Sequence, residues 1–363
     1  MARYLSLRDF DWPMFLVVLA LCSLGVLQIF SATHGTVWQD SWWKQILYIG
    51  AGILIMWAVS LLDYHALMSQ VYPMYFAAVA GLLAVLVIGK TVFNSTRWIA
   101  LPGGLKLQVS EFAKLVIILL VARFMTELRS DVLELPDLLK IAGLVLVPML
   151  LIGKEPDLGT ALTYVPILAC GVFLAGLRWQ YWAAVAILVL LVVPLSYSVL
   201  KPYQRERLVS FLDPDSDPKG SGYQVRQSKI AVGAGGMWGR GVAKGTQTQL
   251  RFLPVAHTDF IFSAFSEEHG FVGVIVALAL YFVLLMQLVQ NAQTAPDRAG
   301  MYICMGVAAL LLFHILVNVG MVVGRMPVTG IPLPLMSYGG SSVWSTFLML
   351  GLVNNVRLRR FVN

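Results

Sequence analysis

Apolar residues run through this chain in blocks of roughly twenty, separated by short polar punctuation. About twenty apolar residues are what a helix needs to cross the hydrocarbon core of a bilayer. About ten such blocks can be marked, near 12–32, 43–62, 71–89, 111–127, 138–153, 157–177, 179–199, 260–290, 301–323 and 338–356. The turns around Lys154 and Arg178 are so short that the helices they join should be antiparallel neighbours. The first block is longer than a signal-peptide core and lacks a convincing cleavage site, so it reads as a retained span. The pattern predicts an all-α polytopic membrane protein, a single integral membrane domain over 1–363. One long non-membrane segment, 200–257, lies within it.

Composition agrees. Of 363 residues, 58% are hydrophobic and 12% charged, with a mean hydropathy of +0.77. A soluble domain carries about 25% charged residues. The net charge of +7 then points to positive-inside bias and anionic lipid rather than to nucleic acid. With the N-terminus inside, the inner segments hold Arg3, Arg8, Arg123, Arg129, Lys140, Arg178, Arg298, Arg357, Arg359 and Arg360. The short outer loops hold Lys44, Lys90, Arg97, Lys106, Lys154 and Arg325. The balance favours an N-in, C-in chain and makes 200–257 a long extracytoplasmic loop. Its nine basic residues count for little, because long loops translocate largely regardless of charge. Three basic residues in the outer loop 90–110 hint that the outer face binds an anion. Cys22, Cys170 and Cys304 show neither metal nor disulfide spacing.

Within 200–257, "DPDSDPKGSGYQ" reads as turns. Tyr223 to Val232 fits a short amphipathic helix, and a glycine-rich run follows. A dinucleotide fingerprint from Gly233 would need glycine where Trp238 stands. A Walker motif from Gly239 would need the order Gly-Lys but meets Lys244-Gly245. No strand leads into either, so nucleotide binding is rejected. The chain shows no internal repeat.

Ionisable groups inside spans are expensive and are functional candidates by default. Glu111 and Lys114 are three apart in the fourth block and share a helical face, with Ser110 placed to cap the helix. Asp157 stands where the sixth block begins, beside Lys154 and Glu155; it suits either an N-cap or an ion site. "HTDFIFSAFSEEHGFVG" opens the eighth block with His257 and Asp259. It carries Glu267 and Glu268 roughly 12–13 Å deeper along the same helix. Carboxylates at that depth need partners or a wet cavity. Asp259 suits a cap as well as a reactive group, and the histidines lack zinc spacing. "GRMPVTGIPLPLMSYGGSS", with Ser337, Gly339 and Gly340, breaks an apolar stretch with prolines and glycines. Such backbone survives at membrane depth only when buried in protein or lining a cavity. It reads as the wall of a site or as an ordinary outer loop.

The segments "RWIALPGGLKLQVSEFAKL", "EPDLGTA", "YQRERLVSFLDPDSDPKGSGYQVRQSKIAVGAGGMWGRG", "GTQTQLRFLPVAHTDFIFSAFSEEHGFVG" and "GIPLPLMSYGGSS" together resemble the SEDS family (shape, elongation, division and sporulation). The short termini suit its elongation branch better than its division branch. The resemblance implies a ten-span peptidoglycan glycosyltransferase of the bacterial cytoplasmic membrane, active on the outer face. Its substrate would be lipid II. Its partners would be a class B penicillin-binding protein and other membrane proteins of the elongation complex. It also implies that the aspartate of the His-Thr-Asp-Phe stretch, here Asp259, is essential for catalysis. Two positions depart from the family pattern: Val109 replaces a common proline, and Val255 replaces a common glutamate.

Such chemistry joins an acceptor hydroxyl to the anomeric carbon of a donor and expels a lipid pyrophosphate. Asp259 is the candidate base, with metal ligation as its second possible role. Arg97, Lys114, Arg205 and Arg251 are candidates for the pyrophosphate, with Ser337, Gly339 and Gly340 as further substrate contacts. A divalent cation, Mg²⁺ or Mn²⁺, would take oxygen ligands from Asp259, Asp157 or Glu111. A precursor flippase and a scaffold for a partner enzyme are the competing readings. Against the flippase stand the missing inverted repeat and the clustering of polar groups on one side.

Overall fold

A computed structural model gives the architecture and describes residues 9–92, 95–100, 106–128, 133–196, 200, 202–213, 217 and 220–360. In chain order the elements begin with α1 (Trp12–Thr33), α2 (Ser41–Leu61), α3 (Tyr64–Ser69) and α4 (Val71–Ile88). Three strands follow, β1 (Lys90–Val92), β2 (Ser95–Ala100) and β3 (Lys106–Leu107). Then come α5 (Val109–Thr126), α6 (Leu135–Lys154), α7 (Leu158–Leu162), α8 (Tyr164–Leu174), α9 (Trp179–Ser196), α10 (Pro202–Leu212), α11 (Ser221–Ala234) and α12 (Thr246–Gln249). The chain closes with α13 (Ile261–Gln293), α14 (Arg298–Val322) and α15 (Gly340–Arg359).

The apolar blocks predicted from the sequence fall mainly on helix where the structure describes them, residues 197–199 of the block 179–199 lying outside the described residues, because a helix satisfies its own backbone in lipid. Among the described residues, six helices, α1, α2, α4, α6, α13 and α14, are long and apolar enough to cross a membrane. The block at 157–177 is split into α7 and α8 at Thr163. The amphipathic segment near 223–232 is α11. The chain is not all helix: the basic loop after α4 folds as a small antiparallel sheet in the order β1-β2-β3.

The centre of the bundle is α5, α14 and α15. Every residue from Ala113 to Ala122 of α5 and from Met349 to Val356 of α15 is buried. A helix covered all round belongs inside a large assembly. α15 lies along α2 at close range, so a Cβ on Gly351 would stand 2.7 Å from the Met56 carbonyl oxygen. Small residues permit such approach where lipid supplies no hydrophobic drive. Large apolar side chains on the periphery, such as Phe76, Val87, Leu190 and Phe282, remain exposed.

A buried polar cluster fastens the start of α1 to the ends of α2, α13 and α15. The Asp11 carboxylate meets Arg357 at 2.9 Å and accepts from the Asn291 amide at 2.8 Å. Asn354 accepts from the Asp11 backbone N–H at 3.0 Å and donates to the Ser60 hydroxyl at 3.0 Å. Buried charge is tolerated because it is paired and hydrogen-bonded.

Residues 235–249, within the segment 200–257, pack against a break in α13. Helix α13 breaks at Gly270 (φ 64°, ψ −167°). The freed carbonyls of Glu267 and Glu268 accept from the N–H groups of Arg240 and Gly241 at 3.0 and 2.9 Å. The N–H groups of Phe271 and Val272 donate to the carbonyls of Gly236 and Met237 at 2.8 and 3.1 Å. The two deep carboxylates have partners as well. Glu267 accepts from the N–H of Gln247 at 2.8 Å and from the N–H and hydroxyl of Thr248 at 3.1 and 2.9 Å. Glu268 accepts from the Ser31 hydroxyl and the Gln28 amide.

A Cβ on Gly270 would stand 2.2 Å from the Gly239 backbone nitrogen, and the positive φ disfavours any other residue. Gly270→Ala is therefore expected to destabilise by at least about 2 kcal/mol, from left-handed strain plus displaced backbone. A lowered unfolding temperature of the detergent-purified protein, read by fluorescence-detected size exclusion, checks this.

Candidate functional site

Asp259 lies in the turn that leads into α13. No side chain caps that helix, whose N-cap is Phe260. The cap role that the sequence left open is therefore not what Asp259 does. Its backbone carbonyl accepts from the Asn318 amide at 2.9 Å. Its carboxylate points at the segment between α14 and α15: a Cβ on Gly330 would stand 3.5 Å from Oδ2. Arg207 and Arg97 are the cations that act on it, Thr258 donates a hydrogen bond, and Asp157 opposes it. Burial outweighs the cations and holds the carboxyl above the usual carboxylate range. The residue nevertheless keeps partial exposure.

Arg97 comes from β2 because the short sheet turns the loop back over the bundle. Its Nε lies 3.5 Å from Asp157 Oδ2, and its guanidinium donates to the Pro156 carbonyl. Asp157 is both a cap and part of the cluster. It accepts from the Thr160 N–H of α7 at 3.1 Å and from the Gln108 amide at 3.2 Å. Glu155, two residues earlier, is 1% exposed, and neither carboxyl oxygen has a hydrogen-bond partner among the described residues. Burial first, then Asp157, push its carboxyl up to about 8, with Arg97 opposing.

Arg207 reaches the same place from α10, donating to the Thr329 carbonyl at 3.3 Å. Gly159, in the first turn of α7, packs so closely that a Cβ there would stand 2.5 Å from that oxygen. Elements far apart in sequence thus converge on Thr329 and Gly330. Beside them the His257 ring lies 5.6 Å from Trp38 and 5.8 Å from Tyr338, and burial lowers its imidazole below the usual range.

Several predicted contacts are placed elsewhere. Lys114 is buried and ion-paired to Glu111 at 2.7 Å, and Ser345 donates to the other Glu111 oxygen at 3.0 Å. Glu111 is thereby committed to Lys114 and Ser345. Ser110 does not cap α5; Gln108 holds the N-cap position, and the Ser110 hydroxyl has no hydrogen-bond partner among the described residues. Ser337 holds backbone together, donating to the Thr258 carbonyl at 2.7 Å and accepting from the Leu333 N–H at 2.9 Å. Gly339 donates its N–H to Gln45, and Gly340 packs under the Tyr48 ring. Arg251 donates to the Gly35 carbonyl and so ties the turn after α1. Arg205 was chosen from the sequence, yet it is Arg207 whose charge acts on Asp259. Both arginines of α10 are half-buried. Glu155 was noted as a neighbour and not as a member. Its signal, a carboxylate between a proline and a helix end, is weak. Among the described residues, no three His, Cys, Asp or Glu side chains gather into a metal-holding group.

The arrangement offers a partly exposed aspartate whose carboxyl is raised by burial and on which the charges of two guanidinium groups from separate elements act. That set can accept a proton and stabilise a departing anion in one place.

The family model described as cell cycle protein (FtsW, RodA, SpoVE) matches residues 11–360. The peptidoglycan glycosyltransferase MrdB of Escherichia coli (strain K12) is 38% identical, covering 96% of this chain and 94% of that protein. The peptidoglycan glycosyltransferase RodA of Treponema pallidum is 33% identical, covering 99% of this chain and all of the relative. Among solved structures, a chain from a peptidoglycan synthase complex that coordinates polymerization and crosslinking superposes with a TM-score of 0.85. It is 34% identical over 98% of this chain and 99% of that one.

The carboxyl of Glu155 ionises near 4.5 when free and near 8 in the fold. Between those values the unfolded chain has lost the proton while the folded one keeps it, so stability falls as pH rises through that window. Glu155→Gln is expected to remove this loss. The variant should unfold a few degrees above the wild type at pH 8 and close to it at pH 5. Parallel thermal scans at the two pH values check it.

Proposed function

The chain belongs to the FtsW/RodA/SpoVE family of cell cycle proteins and is a peptidoglycan glycosyltransferase, and we propose that Asp259 is the catalytic carboxylate with which it polymerises lipid II. One observation carries this reading: Asp259 keeps partial exposure, its carboxyl is raised by burial, and the charges of Arg207 and Arg97 act on it. A base works best when its pKa approaches the working pH.

The acceptor hydroxyl attacks the anomeric carbon of the donor sugar. Its proton passes to Asp259 as the new glycosidic bond forms. The bond from the anomeric carbon to the pyrophosphate oxygen breaks, and the electron pair leaves with the lipid pyrophosphate. Arg97 and Arg207 stand where that growing charge is stabilised. Lys114, paired with Glu111, is left out of this proposed set.

A divalent cation, Mg²⁺ or Mn²⁺, belongs to the same proposal. Such ions are usually bound by one or two carboxylates together with substrate phosphates. Asp259 and Asp157 would supply carboxylate oxygens from within the charge cluster, whereas Glu111 lies with Lys114 and Ser345. With Glu155 uncharged, two arginines face two aspartates, so the site is balanced before a pyrophosphate arrives. The cation would neutralise the extra charge.

The chain is a multi-pass protein of the bacterial inner membrane. Ten spans in an N-in, C-in arrangement would put Asp259 on the outer face, where lipid II is presented. The solved relative works within a peptidoglycan synthase complex. That supports a class B penicillin-binding protein as partner here, alongside other membrane proteins of cell elongation. The relatives bear an enzyme's name, and no contact in the structure favours the flippase or the scaffold.

Purified protein with its partner, supplied with lipid II, tests this. Asp259→Asn should lower the rate of glycan formation by about 10²–10⁴, the usual contribution of a general base. Glycan at the wild-type rate from that variant sinks the assignment, and lipid flipping without polymer in the wild type would revive the transporter.

A further inference from the structure

Helix α14 carries two side chains that act on the backbone of the site and not on its charges. Asn318 is fully buried. Its amide donates one hydrogen bond to the Asp259 carbonyl and one to the Ile331 carbonyl, both at 2.9 Å. Four residues earlier, and so on the same face of the helix, His314 lies with Nδ1 at 3.2 Å from the Pro332 carbonyl. On its other side His314 Nε2 lies 3.4 Å from Lys114 Nζ. A carbonyl only accepts and an ammonium only donates. Nδ1 therefore carries the proton and Nε2 accepts, which fixes the tautomer. Lys114 is in turn held by Glu111 at 2.7 Å, and Glu111 by Ser345 on α15 at 3.0 Å.

Resting on the reading of Asp259 above, we propose that His314 and Asn318 are positioning residues. They clamp the Asp259 turn to residues 331–332, and the buried Lys114–Glu111 pair is the rigid end of the clamp.

The carbonyls that Asn318 bridges belong to two irregular segments with no secondary structure of their own at that point. Among the described residues, Asn318 is the side chain that bonds both the Asp259 and the Ile331 carbonyls. The carboxylate next to Gly330 is then placed by where α14 holds its backbone. Lys114, which the sequence offered as a pyrophosphate contact, acts on the reaction through His314. A misplacement on the order of 1 Å at a reacting group can cost about 10²-fold in rate.

The test is steady-state glycan synthesis by the purified protein with its partner, on lipid II, with kcat and KM separated. His314→Leu removes both bonds, whereas His314→Gln keeps an amide donor and an acceptor on a flexible stem. Asn318→Asp keeps the shape and turns the donor into an acceptor facing two carbonyls. The expected result is a kcat lowered about 10–100-fold in His314→Leu and Asn318→Asp, with KM within about twofold of wild type. His314→Gln should recover much of the rate. The double variant Asp259→Asn/His314→Leu should be no slower than Asp259→Asn alone. A merely structural role would lower the yield of folded protein, leave kcat per folded molecule unchanged, and give no recovery with glutamine. Wild-type kcat in folded Asn318→Asp or His314→Leu overturns the clamp. If either fails to fold, the other variant decides. Should Asp259→Asn be fully active, the base assignment falls; should it be inactive while both clamp variants run at full rate, only the clamp falls.

Discussion

Non-helical backbone in the interior of a membrane protein must find its hydrogen bonds within the protein, because lipid offers none. Each unsatisfied group would cost several kcal/mol. Two long stretches of this chain depend on meeting that demand. The segment between α14 and α15 is met by side chains from the helices around it. The Tyr281 hydroxyl donates to Pro334, the Gln45 amide to Ser337, the Asn318 amide to Ile331, and His314 to Pro332. The glycine-rich stretch after α11 is met differently, by exchange of backbone bonds with the break in α13. Buried glutamine, asparagine and histidine residues, which look misplaced in apolar helices, are the partners this irregular backbone requires.

The site follows from that arrangement. Straight helices alone would keep Arg97, Asp157, Arg207 and Asp259 on separate faces. The irregular segment gives them a common floor: Thr329 receives Arg207 and lies against Gly159, while Gly330 lies against the Asp259 carboxylate. Because the floor is backbone and not side chain, it is fixed by geometry on several sides at once. A carboxylate over such a floor can be raised by burial and still remain in reach of solvent. That combination is hard to obtain on a plain helix, where a buried carboxylate is usually neutralised by a neighbour, as Glu111 is by Lys114.

Much of this was legible in the sequence. The apolar blocks located the helices to within a few residues, since a bilayer fixes their length and polarity. Asp259 and Asp157 were legible because aspartate beside an apolar run is costly. Substituting valine for a common proline at 109 proves mild, for Val109 is the first residue of α5. Proline there only pre-sets the helical φ. What was not legible depended on rotation and depth. Arg205 and Arg207 are indistinguishable without the phase of α10. His314 and Asn318 are single polar residues in an apolar helix, and their targets are carbonyls eighteen and thirteen residues away. The small sheet carrying Arg97 was missed because its strands are two to six residues long. Ser337, Gly339 and Gly340 were singled out as a polar, glycine-rich wall, and the bonds that Ser337 and Gly339 make to the protein itself were not visible in that pattern.

Backbone strain falls in the same region, which bears on the second departure from the family pattern. Val255 has φ +48° and Leu335 φ +67°. A β-branched or bulky residue with positive φ is a clear outlier, costing on the order of 1–3 kcal/mol unless its surroundings impose it. Val255 precedes the Asp259 turn, and its carbonyl accepts from the Thr258 N–H at 3.1 Å, closing that turn. Its side chain is 48% exposed and takes no part in the charge cluster. What position 255 supplies is therefore a conformation, delivered through its backbone, and not a carboxylate. A glutamate with the same φ would close the same turn. That is why the loss of an acid at 255 leaves the geometry of Asp259, and the clamp that α14 applies to it, intact.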